Sequence, residues 1–167
     1  MTPRTFTRSA RTTAPIEAVW PLIGEARRWR QWSFLDHSDL ESEGDPAPDG
    51  VGAVRTFTRY GVGSREEVLA WDPPHHLAYT ILSGFPVRDY RADVVLTSER
   101  QPGDAASAPV GTTVTWSVRF EPRVPGTGLV TAGILRPLIR GFVTSVCRYA
   151  DRMDGVGAGG AGAATPS

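Results

Sequence analysis

The chain has 167 residues, 40% hydrophobic and 22% charged, with 18 basic and 18 acidic side chains. That length makes one domain able to bury a core, and 18 glycines with 14 prolines stay below the level that marks disorder. Zero net charge argues against a dedicated nucleic-acid binder, which needs a basic surface to release counterions. The single cysteine excludes an internal disulfide framework and any multi-cysteine zinc module.

In chain order, residues 4–13 alternate as a strand, with Phe6, Arg8, Ala10 and Thr12 on one face and Thr7, Ser9 and Arg11 on the other. The segment is rich in Arg, Ser and Thr and free of acids, as organellar transit peptides are, but the strand is the preferred reading, and it lacks the apolar run of a secretory signal. Ala14-Pro15 opens a short helix that puts Ile16, Val19, Trp20 and Ile23 on one face and stops at Gly24. A second helical piece carries Glu25 to Trp32, and Ser38 to Gly44 reads as a polar strand. The breaker cluster Asp45 to Gly50 follows. Strand character then recurs over 51–60, 64–72, 76–84 and 88–99, separated by turns at Tyr60–Gly63, Asp72–His75 and Gly84–Pro86. A polar loop over 101–109 leads to the clearest strand, 111–121, where Val114, Trp116, Val118 and Phe120 alternate with polar residues. On a helical wheel Leu135, Leu138, Ile139, Phe142, Val146, Tyr149, Ala150 and Met153 form one stripe. Pro137 is expected to kink or restart that helix, with 128–135 as a preceding helical segment. The domain is therefore drawn over 1–153, and the Gly/Ala-rich tail 154–167 is expected to be disordered.

The apolar stretch from Gly128 to Val146 is interrupted by Arg136 and Arg140, so it is not expected to span a bilayer, and a soluble cytoplasmic protein is expected. Strands in succession joined by tight turns make an antiparallel sheet. The α+β order β-αα-β6-α leaves the terminal helix to cover the dry face of a curved sheet, the short helices to fill one end, and a space between sheet and helix.

This order resembles the helix-grip superfamily of START, pollen-allergen and polyketide cyclase/dehydrase-like domains (SRPBCC). The matching stretches are Ala14 to Trp20 at the first helix, Gly50 to Arg55, Glu66 to Pro74, Leu77-Ala78-Tyr79, and Gly111 to Trp116. The likeness spans roughly residues 5–153. It implies a cavity for an apolar small molecule of the lipid or polyketide kind, and no particular reaction.

Register selects the cavity residues without the resemblance. With the first hairpin centred on Tyr60-Gly61, Arg55 faces Glu66, Phe57 faces Ser64 and Ala53 faces Val68. The next turns put Tyr79 beside Val68, Ile81 beside Glu66 and Tyr90 beside Ile81. The inner face then carries Arg55, Phe57, Glu66, Tyr79, Ile81, Tyr90 and Trp116, with Leu138, Phe142 and Val146 across from them and Trp32 at the mouth. Tyrosine hydroxyls and Arg55 are the polar groups that would orient a ligand. The competing readings are a filled aromatic core and a purely structural Arg55–Glu66 pair.

Other constellations point less far. His37, near Asp36 and Asp39, reads as a surface histidine rather than an acid/base group. His75 and His76 are adjacent in a tight turn and face opposite ways, so no metal site is expected. Cys147 reads as a small buried helix residue, and Gly61-Val62-Gly63 joins two strands, unlike a phosphate loop. The basic run Arg27-Arg28-Trp29-Arg30 is matched by six acids within 36–49, so neutralisation inside the fold is expected rather than nucleic-acid binding. The expected function is binding or carriage of a hydrophobic small molecule, with no cofactor and no nucleic-acid partner. The alternatives are a polyketide cyclase/aromatase-like enzyme, in which Arg55 would stabilise an enolate oxygen while Tyr79, Tyr90 or Glu66 move protons, and a co-chaperone-like partner domain.

Overall fold

The computed structural model describes residues 3–100 and 110–159. Strand β1 (Arg4–Thr12) leads into helix α1 (Ile16–Gly24), a 3-10 turn (Ala26–Arg28) and the single-turn helix α2 (Trp29–Trp32). Six strands follow: β2 (His37–Ser42), β3 (Val54–Arg59), β4 (Val62–Asp72), β5 (His76–Ser83), β6 (Val87–Glu99) and β7 (Gly111–Pro122). Helix α3 (Gly128–Gly159) comes last. The strands form one antiparallel sheet in the order β1-β7-β6-β5-β4-β3-β2. This is the α+β arrangement expected from the sequence. The polar loop expected over 101–109 lies outside the described residues, as does the tail beyond Gly159.

The β3–β4 register follows from its turn. Tyr60 (φ 49°) and Gly61 (φ 78°) both take left-handed backbone, as a two-residue hairpin turn with strand-like twist requires. Arg55 therefore pairs with Glu66 and Phe57 with Ser64. The β4–β5 ladder sets Val68 beside Tyr79 and Glu66 beside Ile81, as expected. The β5–β6 ladder stops at Tyr79–Ala92, short of the expected Ile81–Tyr90 pair. Asp89, at φ 47°, is the cause: β6 bulges between Arg88 and Arg91. Tyr90 nevertheless stays buried on the inner face.

Two expectations for α3 are corrected. Pro137 does not restart it: one helix runs from Gly128 to Gly159 with the proline inside. Proline removes one backbone donor and crowds the carbonyl four residues earlier. Here that residue is Gly133, and both positions face solvent, so the freed carbonyl is not buried without a partner. The helix also continues six residues past Met153, since an established helix needs only propagation, not a new nucleus. Met153 leaves the buried stripe and is 58% exposed. The covered face ends near Asp151, whose carboxylate accepts from the Thr12 hydroxyl (2.6 Å) and the Thr13 backbone N–H (2.8 Å) at the end of β1. By length and mean hydropathy (1.3 over its most apolar stretch) α3 passes for a membrane-crossing helix, a test that the core helix of a globular domain also passes. In the fold it is the core helix, with Leu135, Ile139, Phe142, Val143 and Val146 buried against the sheet.

Candidate functional site

The end of the sheet beneath α1 and α2 is occupied by aromatic rings. The Trp29 indole donates to the Ile23 carbonyl (2.8 Å) and the Trp32 indole to the Leu22 carbonyl (2.7 Å), so the last turn of α1 holds both rings inward. Buried tryptophans retain a partner for the N–H in this way. Trp29 is the hub. Its ring lies 4.7 Å from Phe57, 5.1 Å from Trp32, 5.3 Å from Phe142 and 5.6 Å from Trp116. In the sequence Trp29 stands inside the basic run and the second helical piece, with nothing in its residue type to mark it as central. Its spacing of three from Trp32, which puts both on one helix face, is the signal that would have found it.

Arg55 is fully buried behind this layer. Its guanidinium stacks among Trp29 (5.1 Å), Phe57 (5.3 Å) and Tyr79 (4.9 Å). Nη2 donates to Glu66 Oε2 at 3.0 Å, while Nε and Nη1 have no partner. Burial lifts the Glu66 carboxyl to about 7 even though the Arg55 charge and hydrogen bond oppose the rise. Deeper still, the Trp116 indole donates to the Tyr79 hydroxyl (3.2 Å). Burial also pushes Tyr79 and Tyr90 far above the ordinary phenol range, aided by their negative neighbours, so both remain neutral donors.

An open cavity of about 280 Å³ begins where these rings stop. Trp29, Phe57 and Glu66 form its inner wall, and Phe34, Leu35 and Phe85 flank it. The hairpin residues Arg59, Tyr60 and Val62 to Ser64 close one side, and Leu138 and Phe142 of α3 the other. Arg59 is held over the rings of Phe34 (4.6 Å) and Tyr60 (4.9 Å) at the rim. Of the residues named from the sequence, Phe57, Glu66, Leu138 and Phe142 line this cavity. Arg55, Tyr79, Tyr90, Trp116 and Trp32 lie behind the wall in the buried core, and Ile81 is half-buried outside the lining. Trp32 does not sit at the mouth, because its bond to Leu22 draws it under α1. Phe34 and Leu35 occupy the mouth instead.

The remaining constellations resolve as local structure. Arg27 pairs with Asp39 (2.6 Å), Arg28 with Glu25 (2.6 Å), and Arg65 with Glu41. His76 meets Asp93 at 2.9 Å on the outer face. Burial raises the Cys147 thiol to about 12, so it holds no thiolate at neutral pH.

The fold is thus a seven-stranded antiparallel sheet closed by one long terminal helix, with a hollow at one end between them. Residues 3–151 match the polyketide cyclase / dehydrase and lipid transport family. The chain belongs to that family. Among solved structures, this family member is similar to an uncharacterised protein from Bacillus thuringiensis (18% identity, TM-score 0.70, covering 88% of this chain and 98% of that one). It is also similar to Ara h 8.0201 (13%, TM-score 0.67, 89% and 98%). A third neighbour is a norcoclaurine synthase point mutant from Thalictrum flavum, solved with a transition-state analogue (12%, TM-score 0.62, 92% and 97%). At these identities the likeness is one of fold. No curated protein matches the chain. Membership in the polyketide cyclase / dehydrase and lipid transport family fits a domain that binds hydrophobic ligands.

Proposed function

We propose that the domain binds and carries a small hydrophobic molecule in the cavity between the β3–β4 hairpin and α3, in the cytoplasm. The observation that carries this reading is a largely aliphatic and aromatic hollow whose innermost wall presents one buried carboxyl, Glu66, backed by Arg55. Such a site takes an apolar body and orients one polar end. At 280 Å³ it suits a compact ligand. Near neutrality Glu66 is partly protonated, so it donates to a carbonyl oxygen or accepts from a hydroxyl. Native mass spectrometry of the purified chain tests the proposal. A co-purified apolar compound is expected in the wild type and is expected to be lost in Leu138→Trp, whose added ring fills the hollow. An empty wild type that also fails to bind an apolar fluorescent probe refutes it.

One observation favours a second reading, a cyclase/dehydratase-like enzyme. A carboxyl near 7 on the wall of an apolar cavity is poised for general acid–base work. In that reading Glu66 moves the proton, and Arg55 sets its charge from behind. Turnover of a polyketide surrogate that vanishes in Glu66→Gln would establish it, and binding without turnover leaves carriage.

A further inference from the structure

The first half of α3 is apolar on two faces. Ala132 and Leu135 are buried against the sheet, whereas Leu129, Val130 and Ile134 are 70%, 67% and 57% exposed. Gly133 and Pro137 lie among them, also exposed. A helix apolar all round is normally enclosed, and here two turns of aliphatic side chains face outward. The charge around them has one sign. Residues 122–150 contain no Asp or Glu, and none precedes Glu17, although the chain carries 18 acids. The fold brings these two acid-free segments together, because β1 is an edge strand and α3 packs along it. Arg8 and Arg140 line one groove with Val143 and Thr144, and Arg136 lies over the Phe6 ring. Among the described residues no carboxylate forms a salt bridge with Arg123, Arg136 or Arg140.

We propose that this face docks on a bilayer bearing anionic phospholipids, with Leu129, Val130 and Ile134 at the acyl boundary and Arg8, Arg136 and Arg140 among the phosphates. Apolar insertion combined with cationic flanks is what an anionic interface rewards. A nucleic acid would use the arginines but leave the aliphatic row in water. Leu138, one turn beyond Ile134, lines the cavity, so docking would set the cavity mouth beside the lipid. The inference stands on the exposed face and its charge, independently of what the cavity holds.

The test is co-sedimentation of the full chain with vesicles of phosphatidylcholine alone and of phosphatidylcholine with an equal part of phosphatidylglycerol. Binding is expected only with the anionic vesicles and is expected to fall with added salt. Leu129→Ser/Ile134→Ser is expected to abolish it. Arg136→Glu/Arg140→Glu is expected to weaken it about 25-fold or more, from roughly fivefold per arginine near the surface. All four positions are exposed, and a melting curve verifies that each variant folds. Equal binding to neutral vesicles, no binding to either, or undiminished binding by both variants would overturn the proposal. So would a dimer in solution that Leu129→Ser/Ile134→Ser dissolves, which would assign the face to a second copy. None of these residues lines the cavity, so co-purification of a small molecule reports on the ligand reading separately.

Discussion

Glu66 gives the protein a stability that weakens toward neutral and basic pH. Its carboxyl rises from 4.5 to about 7 on folding, because burial disfavours the charged form more than Arg55 favours it. Between those values the folded chain holds a proton that the unfolded chain has released. Stability contributed by this group is therefore full below about 4.5 and is lost as pH rises through 7. The interval corresponds to about 3 kcal/mol, or roughly 10 °C in Tm for a domain of this size. Glu66→Gln retains an acceptor for Arg55 Nη2 and does not titrate. The assay is a series of thermal melts from pH 4 to pH 9 on both proteins. The carboxylates held low by partners, among them Asp39, Glu41, Asp93 and Asp151, act at more acidic pH and are common to both chains. The difference curve thus isolates Glu66, and the wild type is expected to lose ground to the variant above pH 5. Parallel curves over the whole range would refute the reasoning.

Two further outcomes follow from the same structure. Arg55→Ala strands the Glu66 carboxyl and opens space among three rings, so a loss of about 3–5 kcal/mol is expected by chemical denaturation. Arg55→Met/Glu66→Gln is expected to recover most of it, because a buried ion pair exceeds an apolar replacement by little. Asp151→Asn weakens the three hydrogen bonds that tie α3 to Thr12 and Thr13. A loss of about 1 kcal/mol is expected at neutral pH. It is expected to shrink as acid protonates the wild-type carboxylate, whose range those bonds lower, and equal losses at pH 7 and pH 3 would argue against it.

The inner-face register was legible because Tyr60-Gly61 is a two-residue turn flanked by alternating strands. Once that centre is placed, the pairing of Arg55 with Glu66 follows without further information. The order of elements was legible for the same reason, since turn residues punctuate every strand. The depth of the hollow was not. Whether an inward ring lines a void or fills it depends on what stands opposite. The ring opposite Trp116 and Phe142 is Trp29, carried on two short helical turns whose length allows no reliable periodicity. The Asp89 bulge was hidden likewise, because no glycine or Asn-Gly pair marks it. That the helix carries through Pro137 without restarting was not legible, because it depends on whether the freed carbonyl at Gly133 faces solvent, which only tertiary packing decides.

The indole of Trp29 acts as a stopper. It closes off the interior of the grip, so the hollow is a shallow cup rather than a through-going tunnel. The ring belongs to one turn tethered by one hydrogen bond to α1, so a smaller residue there would deepen the cup toward Arg55, whose guanidinium packs against that ring.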